Sequence, residues 1–203
     1  MRTNVIRATV LVCMLVASLT IPAPTVKASS PSSLTSSVQA SAYPVIHVPS
    51  DVNDLQKAMD QVPDGGVIEL AAGTYVPPSC GWRLHNPGKG FTVRAAPGAT
   101  VVLDGQGSRE ILRFQNSSRS DSGPITFEGL TFANGRATVE GTAAVTLYET
   151  DVTFIDCEFR NNRGLVSTTV GGAVYAADNS AVFFIDTLWT GNTSRVGGGA
   201  LGI

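Results

Sequence analysis

From Pro44 onward the apolar positions keep two rhythms in turn. In "PSDVNDLQKAMDQVPDGG" Val52, Leu55, Ala58, Met59 and Val62 recur at steps of three and four, the spacing of one face of a helix. Ser50 or Asp51 can cap its start and Pro63 with Gly65 ends it. A short amphipathic helix is therefore expected around Asp51 to Gln61, suited to closing one end of a core. After it the step drops to two. Short runs rich in Val, Ile, Phe and Thr, such as "GVIELAAGTYV", "FTVRAAPGATVVLDGQG", "EILRFQ" and "PITFEGLTFANG", are split by Gly, Asn, Asp and Pro. Many short strands at regular spacing predict an all-β fold.

The runs also repeat. "ITFEGLTFANG" from Ile125, "VTFIDCEFRNN" from Val152 and "VFFIDTLWTGN" from Val182 keep step at offsets of 27 and 30 residues. Ile125, Val152 and Val182 share a column, as do Phe127, Phe154 and Phe184, and Phe132, Phe159 and Trp189. A second set of columns runs through "TAAVTL", "GGAVYA" and "GGALGI", placing Ala143 with Ala173 and Ala200. A propeller blade needs about 40 residues, and an up-and-down barrel has no reason to hold identical side chains in register at this distance. A solenoid does: with one coil per repeat, equivalent residues stack about 4.8 Å apart along parallel sheets. Val152 and Phe154 then point inward, and so do Cys157 and Phe159, with a slip of one residue at Asp156. The chain must bend there. Gly129, Asp156 and Asp186 occupy this corner in successive coils, and these residue types tolerate a left-handed turn.

These residues carry a resemblance. "IELAAGTYV" followed by "VVLDGQG" is similar to the opening coils of right-handed parallel β-helices of the pectin-lyase-like superfamily. Phe159-Arg160-Asn161-Asn162 fits F-x-x-N and Gly171-Gly172-Ala173-Val174 fits G-G-A-[ILV], the two motifs that alternate in polymorphic outer-membrane-protein repeats. Trp189-Thr190-Gly191-Asn192 and Gly198-Gly199-Ala200-Leu201 resemble a second, worn copy, while "FANG" sets Asn134 one place early. The resemblance implies an all-β, right-handed parallel β-helix with an N-terminal capping helix, and a surface-exposed or autotransported passenger, often adhesive, rather than an enzyme.

Ahead of this domain, Arg2 and Arg7 lead into the apolar run Ala8 to Ile21, and Val26-Lys27-Ala28 supplies a small-x-small pattern. That reads as a secretory signal peptide over residues 1–28, since about fourteen apolar residues fall short of a membrane span. The serine-rich segment 29–43 is expected to be a disordered leader, followed by the β-helix domain over 44–203. "VGGGALGI" stops inside what should be a fresh coil, so the chain is expected to be an incomplete piece of a longer protein, exported to the medium or the cell surface. Without residues 1–28, Lys plus Arg falls from 14 to 11 against 16 Asp plus Glu. That balance argues against a nucleic-acid partner. Cys80 and Cys157 remain in an exported chain, open to pairing; two independently buried thiols are favoured, because Cys157 falls in a core register.

Asp156 and Asp186 are the sharpest enzymatic lead, for stacking one coil apart would set them about 5 Å from each other, near the separation in retaining glycosidases. They would project side by side from one ridge, however, and Gly129 leaves the series without a third carboxylate. A pectate-lyase-like site needs clustered carboxylates and a basic side chain, whereas Glu128, Glu158 and Asp156 are scattered and Arg160 and Arg163 sit in a turn. "DGQG" at Asp104 and "DTLW" at Asp186 resemble fragments of polygalacturonase and pectin-methylesterase motifs without the rest of either, and Asp104-Gly105 is more simply a tight turn. His47 and His85 stand alone, so no metal site or cofactor is expected. Asn116-Ser117-Ser118 and Asn192-Thr193-Ser194 match glycosylation sequons. Outward positions Thr153, Ile155, Phe183 and Ile185 become greasier toward the last coil. The expected function is a non-catalytic passenger presenting an elongated face to carbohydrate or to a host or cell-surface protein; the alternative is a polysaccharide-active lyase or glycoside hydrolase using Asp156 and Asp186.

Overall fold

The computed structural model describes residues 43–85, 87–118, 120, 123–137, 144–165 and 171–202. The expected signal peptide and, apart from Tyr43, the serine-rich leader lie outside the described residues. Each β-branched run forms a strand because alternate side chains have an apolar interior to enter, and each Gly, Asn or Asp between runs turns the chain toward the next sheet.

The first sheet stacks β1 (Val45–Val48), β2 (Gly66–Leu70), β5 (Phe91–Ala95), β8 (Ile125–Glu128), β12 (Asp151–Ile155) and β16 (Ala181–Ile185). The second holds β3 (Gly73–Tyr75), β6 (Val101–Asp104), β9 (Leu130–Ala133), β13 (Glu158–Arg160) and β17 (Leu188–Thr190). In the third lie β4 (Trp82–His85), β7 (Leu112–Gln115), β11 (Val145–Tyr148), β15 (Val174–Ala177) and β19 (Leu201–Gly202). A narrow fourth sheet joins β10 (Arg136–Ala137), β14 (Arg163–Gly164) and β18 (Thr193–Ser194). Neighbouring strands pair in parallel throughout these sheets, and the chain makes about four turns between β2 and β16. The fold is a right-handed parallel β-helix with one short helix.

The columns expected from the repeat are the register observed. Ile125, Val152 and Val182 pair in series, Phe127, Phe154 and Phe184 do the same, and Phe132, Phe159 and Trp189 form a file on the second sheet. Within a file the rings stack, Phe127 on Phe154 at 5.4 Å between centroids and Phe132 on Phe159 at 4.8 Å. Between files they meet edge to face, Phe132 against Phe154 at 85°. Both geometries suit the ring quadrupole, at about 0.5–1.5 kcal/mol per pair beyond simple burial. Besides Arg160 and Arg163, which lie in β13 and β14 and not in a turn, three details differ from the sequence reading. Ala143 lies outside the described residues, and the pairing of Val145 with Val174 puts Ala144 beside Ala173. Cys80 falls in the turn before β4 and is exposed, while Cys157 is buried; both are free thiols.

The third difference is the helix. It spans α1 (Leu55–Gln61), capped by Asp54, whose carboxylate accepts the Lys57 N–H. Asp51 does not cap it because its carboxylate accepts the His47 N–H instead and closes the turn after β1. Leu55, Ala58 and Met59 are buried as the periodicity predicts. The helix also closes a sheet edge: the Gln56 amide accepts the Arg83 N–H at 2.8 Å and donates to the Arg83 carbonyl at 2.7 Å, standing in for the strand that β4 lacks on that side.

Candidate functional site

Asp156 and Asp186 sit at the corner between the first and second sheets. Their φ values are 51° and 47°, matching 68° at Gly129 in the coil before. Both side chains are exposed, and their backbones are tied to adjacent coils, Gly129 N–H to Ile155 O and Asp156 N–H to Ile185 O. The two carboxylates therefore stand on neighbouring coils of one ridge, as the stacking argument requires. Glu158 is held at the second sheet by Thr131, and Glu128 lies on the outer face of the first, so these acids do not converge with the pair.

The motif residues are occupied in building coils. Asn162 is fully buried. Its Nδ2 donates to Phe132 O and to Asn192 Oδ1, and its Oδ1 accepts the Gly135 N–H at 2.8 Å. Asn192 repeats the pattern one coil later, donating to Phe159 O at 2.8 Å. The displaced asparagine of "FANG" has a physical reason: Asn134, Asn161 and Gly191 share the left-handed corner, with φ of 54°, 56° and 63°, so Gly135 takes the ladder position and its N–H donates to Asn162 Oδ1 of the following coil. The glycine pairs are steric. A Cβ on Gly172 would collide with Gly199 O, and one on Gly198 would lie 2.6 Å from Leu201 O. The sequon asparagines are engaged too, Asn116 being buried with its Nδ2 donating to Glu149 O.

What remains for contact with other molecules is the outside. On the first sheet one outward column runs Thr92, Thr126, Thr153, Phe183, and the other runs His47, Glu69, Arg94, Glu128, Ile155, Ile185. The second starts as alternating charge, with Arg94 2.9 Å from Glu69 and His47 Nδ1 3.4 Å from it. Both columns end apolar: Phe183 is 61% exposed and Ile185 47%. This is the face expected from Thr153, Ile155, Phe183 and Ile185.

The sequence reading missed Glu110. It lies almost buried on the outer side of the third sheet, where Thr146 Oγ1 donates to Oε1 and Arg113 Nε lies 3.1 Å from Oε2. The Arg83 guanidinium is 3.8 Å away. Burial raises the carboxyl above its ordinary range, and the bonds to Thr146 and Arg113 together with the charges of Arg113 and Arg83 oppose that shift without cancelling it. The available signal was the alignment of "WRLH" with "LRFQ", which puts Arg83 beside Arg113 and so calls for an acid between them.

A cavity of about 410 Å³ opens between the start of α1 and residues 74–78. Three of its polar side chains are engaged: Asp54 caps the helix, Gln56 pairs with Arg83 and the Tyr75 hydroxyl lies 2.9 Å from Ala71 O. The "DGQG" segment is a tight turn in which Asp104 accepts the Gln106 N–H and Asn134 Nδ2. Cys157 is an inert core thiol, pushed up to about 11 by burial. Among the described residues no helix is long and apolar enough to cross a membrane. No family model, curated protein or solved structure matches the chain.

Proposed function

We propose that this chain is a secreted or cell-surface β-helix passenger, adhesin-like and without catalysis of its own, whose contact surface is the outer face of the first sheet. The observation that carries the reading is the exposed end of that face, where Phe183 follows a column of threonines and Ile155 and Ile185 end a column that is polar in the earlier coils. Exposed apolar side chains on a flat parallel sheet suit contact with a carbohydrate or a cell-surface protein. Support also comes from the likeness of the signal segment to export signals, and from the F-x-x-N and G-G-A motifs, which resemble polymorphic outer-membrane-protein repeats within a pectin-lyase-like β-helix. The repeated Asp, Asn and Gly residues serve coil geometry, which accounts for their recurrence without chemistry.

A second reading, a polysaccharide-active lyase or hydrolase, is favoured by one feature: Asp156 and Asp186 are exposed on adjacent coils. Incubation with polygalacturonate and Ca²⁺, following unsaturated products, separates the two. The passenger reading predicts no turnover, together with retention on immobilised glycans or intact cells that is lost in Phe183→Ser. Turnover abolished by Asp156→Asn or Asp186→Asn would overturn it.

A further inference from the structure

The fourth sheet and its flanks collect arginines. Arg136 on β10 and Arg163 on β14 are direct neighbours in register, and the Arg136 N–H donates to the Arg109 carbonyl of the coil before. Arg160 ends β13 just ahead of this sheet, and Arg195 follows β18 one coil on, its N–H donating to the Gly164 carbonyl. Five of the 11 Lys and Arg that lie beyond residue 28 therefore stand along one edge of successive coils. Arg136, Arg163 and Arg195 are exposed, and Arg109 Nη1 donates to the Pro77 carbonyl. Among the described residues none of the five forms an ion pair. Acids of the second sheet are turned to other donors, Asp104 accepting the Gln106 N–H and Asn134 Nδ2, and Glu158 accepting the Thr131 hydroxyl. Like charges on directly opposed residues of neighbouring strands destabilise a sheet. At a strand spacing of about 4.8 Å this row carries a cost that a negative partner would remove.

Two apolar side chains lie in the same row. Leu165, the residue after β14, is 40% exposed, and Val196, the residue after Arg195, is 46% exposed. Ser194 Oγ donates to the Val196 carbonyl at 2.6 Å and accepts the Val196 N–H, closing the turn that carries Val196. Cations with aliphatic groups between them match the boundary of an anionic bilayer, where phosphates meet guanidinium groups and aliphatic groups enter the headgroup layer. The strands of this edge are two residues long, so it offers a narrow line, one step per coil, to a flat surface. Round each coil the order of sheets is first, second, fourth, third, which sets the fourth sheet on the far side of the coil from the first. We propose that this arginine ridge docks the β-helix on the surface of an anionic lipid bilayer, with the solenoid axis along the membrane and the outer face of the first sheet turned away from it. A sulfated or carboxylated polymer would satisfy the arginines but gives Leu165 and Val196 nothing to enter, so the lipid surface fits the row better.

The test is co-sedimentation of the full chain with vesicles of phosphatidylcholine alone and of phosphatidylcholine mixed with an equal part of phosphatidylglycerol, at low and at high salt. The chain is expected to prefer the anionic vesicles and to lose that preference as salt screens the charges. Arg2, Arg7 and Lys27 add to the wild-type signal, so the ridge is read from variants. Each arginine near an anionic bilayer strengthens binding by about fivefold. Arg136→Gln/Arg163→Gln should therefore weaken binding to the anionic vesicles by at least about tenfold, while Lys57→Gln, an equal kind of charge removed from α1, should change it by less than about twofold. Leu165→Ser/Val196→Ser should weaken binding without altering its dependence on salt. Because removing opposed like charges relieves repulsion, the arginine variant should unfold at no lower temperature than the wild type; a lower midpoint would contradict the uncompensated row on which the proposal rests. Four results each overturn the proposal: anionic vesicles bound no better than neutral ones; equal binding by the arginine variant and Lys57→Gln; unchanged binding by Leu165→Ser/Val196→Ser; and retention on immobilised heparin, lost in the arginine variant, by a chain that leaves anionic vesicles unbound.

Discussion

Gly129, Asp156 and Asp186 occupy one corner of three successive coils with φ of 68°, 51° and 47°. A left-handed backbone costs most L-residues roughly 1–2 kcal/mol, while Gly bears none of that cost and Asp less than most. The shared requirement is therefore one of conformation, and the carboxylate is incidental to it. Asp156→Gly is expected to change stability by about 0.5 kcal/mol or less, whereas Asp156→Val should cost about 1–2 kcal/mol, both read from urea-unfolding midpoints. This corner was legible in the sequence because inward Val152 and Phe154 lose phase with inward Cys157 and Phe159 across a single residue. Cys80 was not legible, since it sits in a turn outside either rhythm and no periodicity assigns it a face.

Among the elements, strands could be read wherever apolar residues alternate, and their stacking order followed from the repeat. Tertiary hydrogen bonds could not. The sequence offers Ser50 or Asp51 as the cap, but the Asp51 carboxylate accepts the His47 N–H and the cap falls to Asp54. Glu110 went unread for a similar reason: its partner Thr146 is 36 residues away and belongs to a different coil. This carboxyl links the coils of β4, β7 and β11 through Arg83, Arg113 and Thr146. Its folded-state pKa is raised above the ordinary 4.5, so the folded chain holds the proton more tightly than the unfolded one. The stability this contributes is fully present below 4.5 and is lost as pH rises through the raised value. The difference in unfolding free energy between wild type and Glu110→Gln should accordingly shift against the wild type over that window, as followed by urea midpoints across pH. A difference independent of pH would contradict the assignment.

For the whole molecule, the repeat, the corners and the aromatic files converge on one geometry, in which Phe127, Phe154 and Phe184 lie one above another through the core. The candidate contact face was visible as outward Thr153, Ile155, Phe183 and Ile185, because alternation assigns faces as soon as one face is known to be buried. All of this depends on parallel, in-register stacking. The most direct measurement is nuclear Overhauser contact between the phenylalanine rings in the folded chain. The account predicts contacts from Phe127 to Phe154 and from Phe154 to Phe184, consistent with centroid separations of 5.4 Å for each pair, and none between Phe127 and Phe184. Direct contact between Phe127 and Phe184, or the close Hα–Hα contacts of antiparallel pairing between β8 and β12, would contradict it.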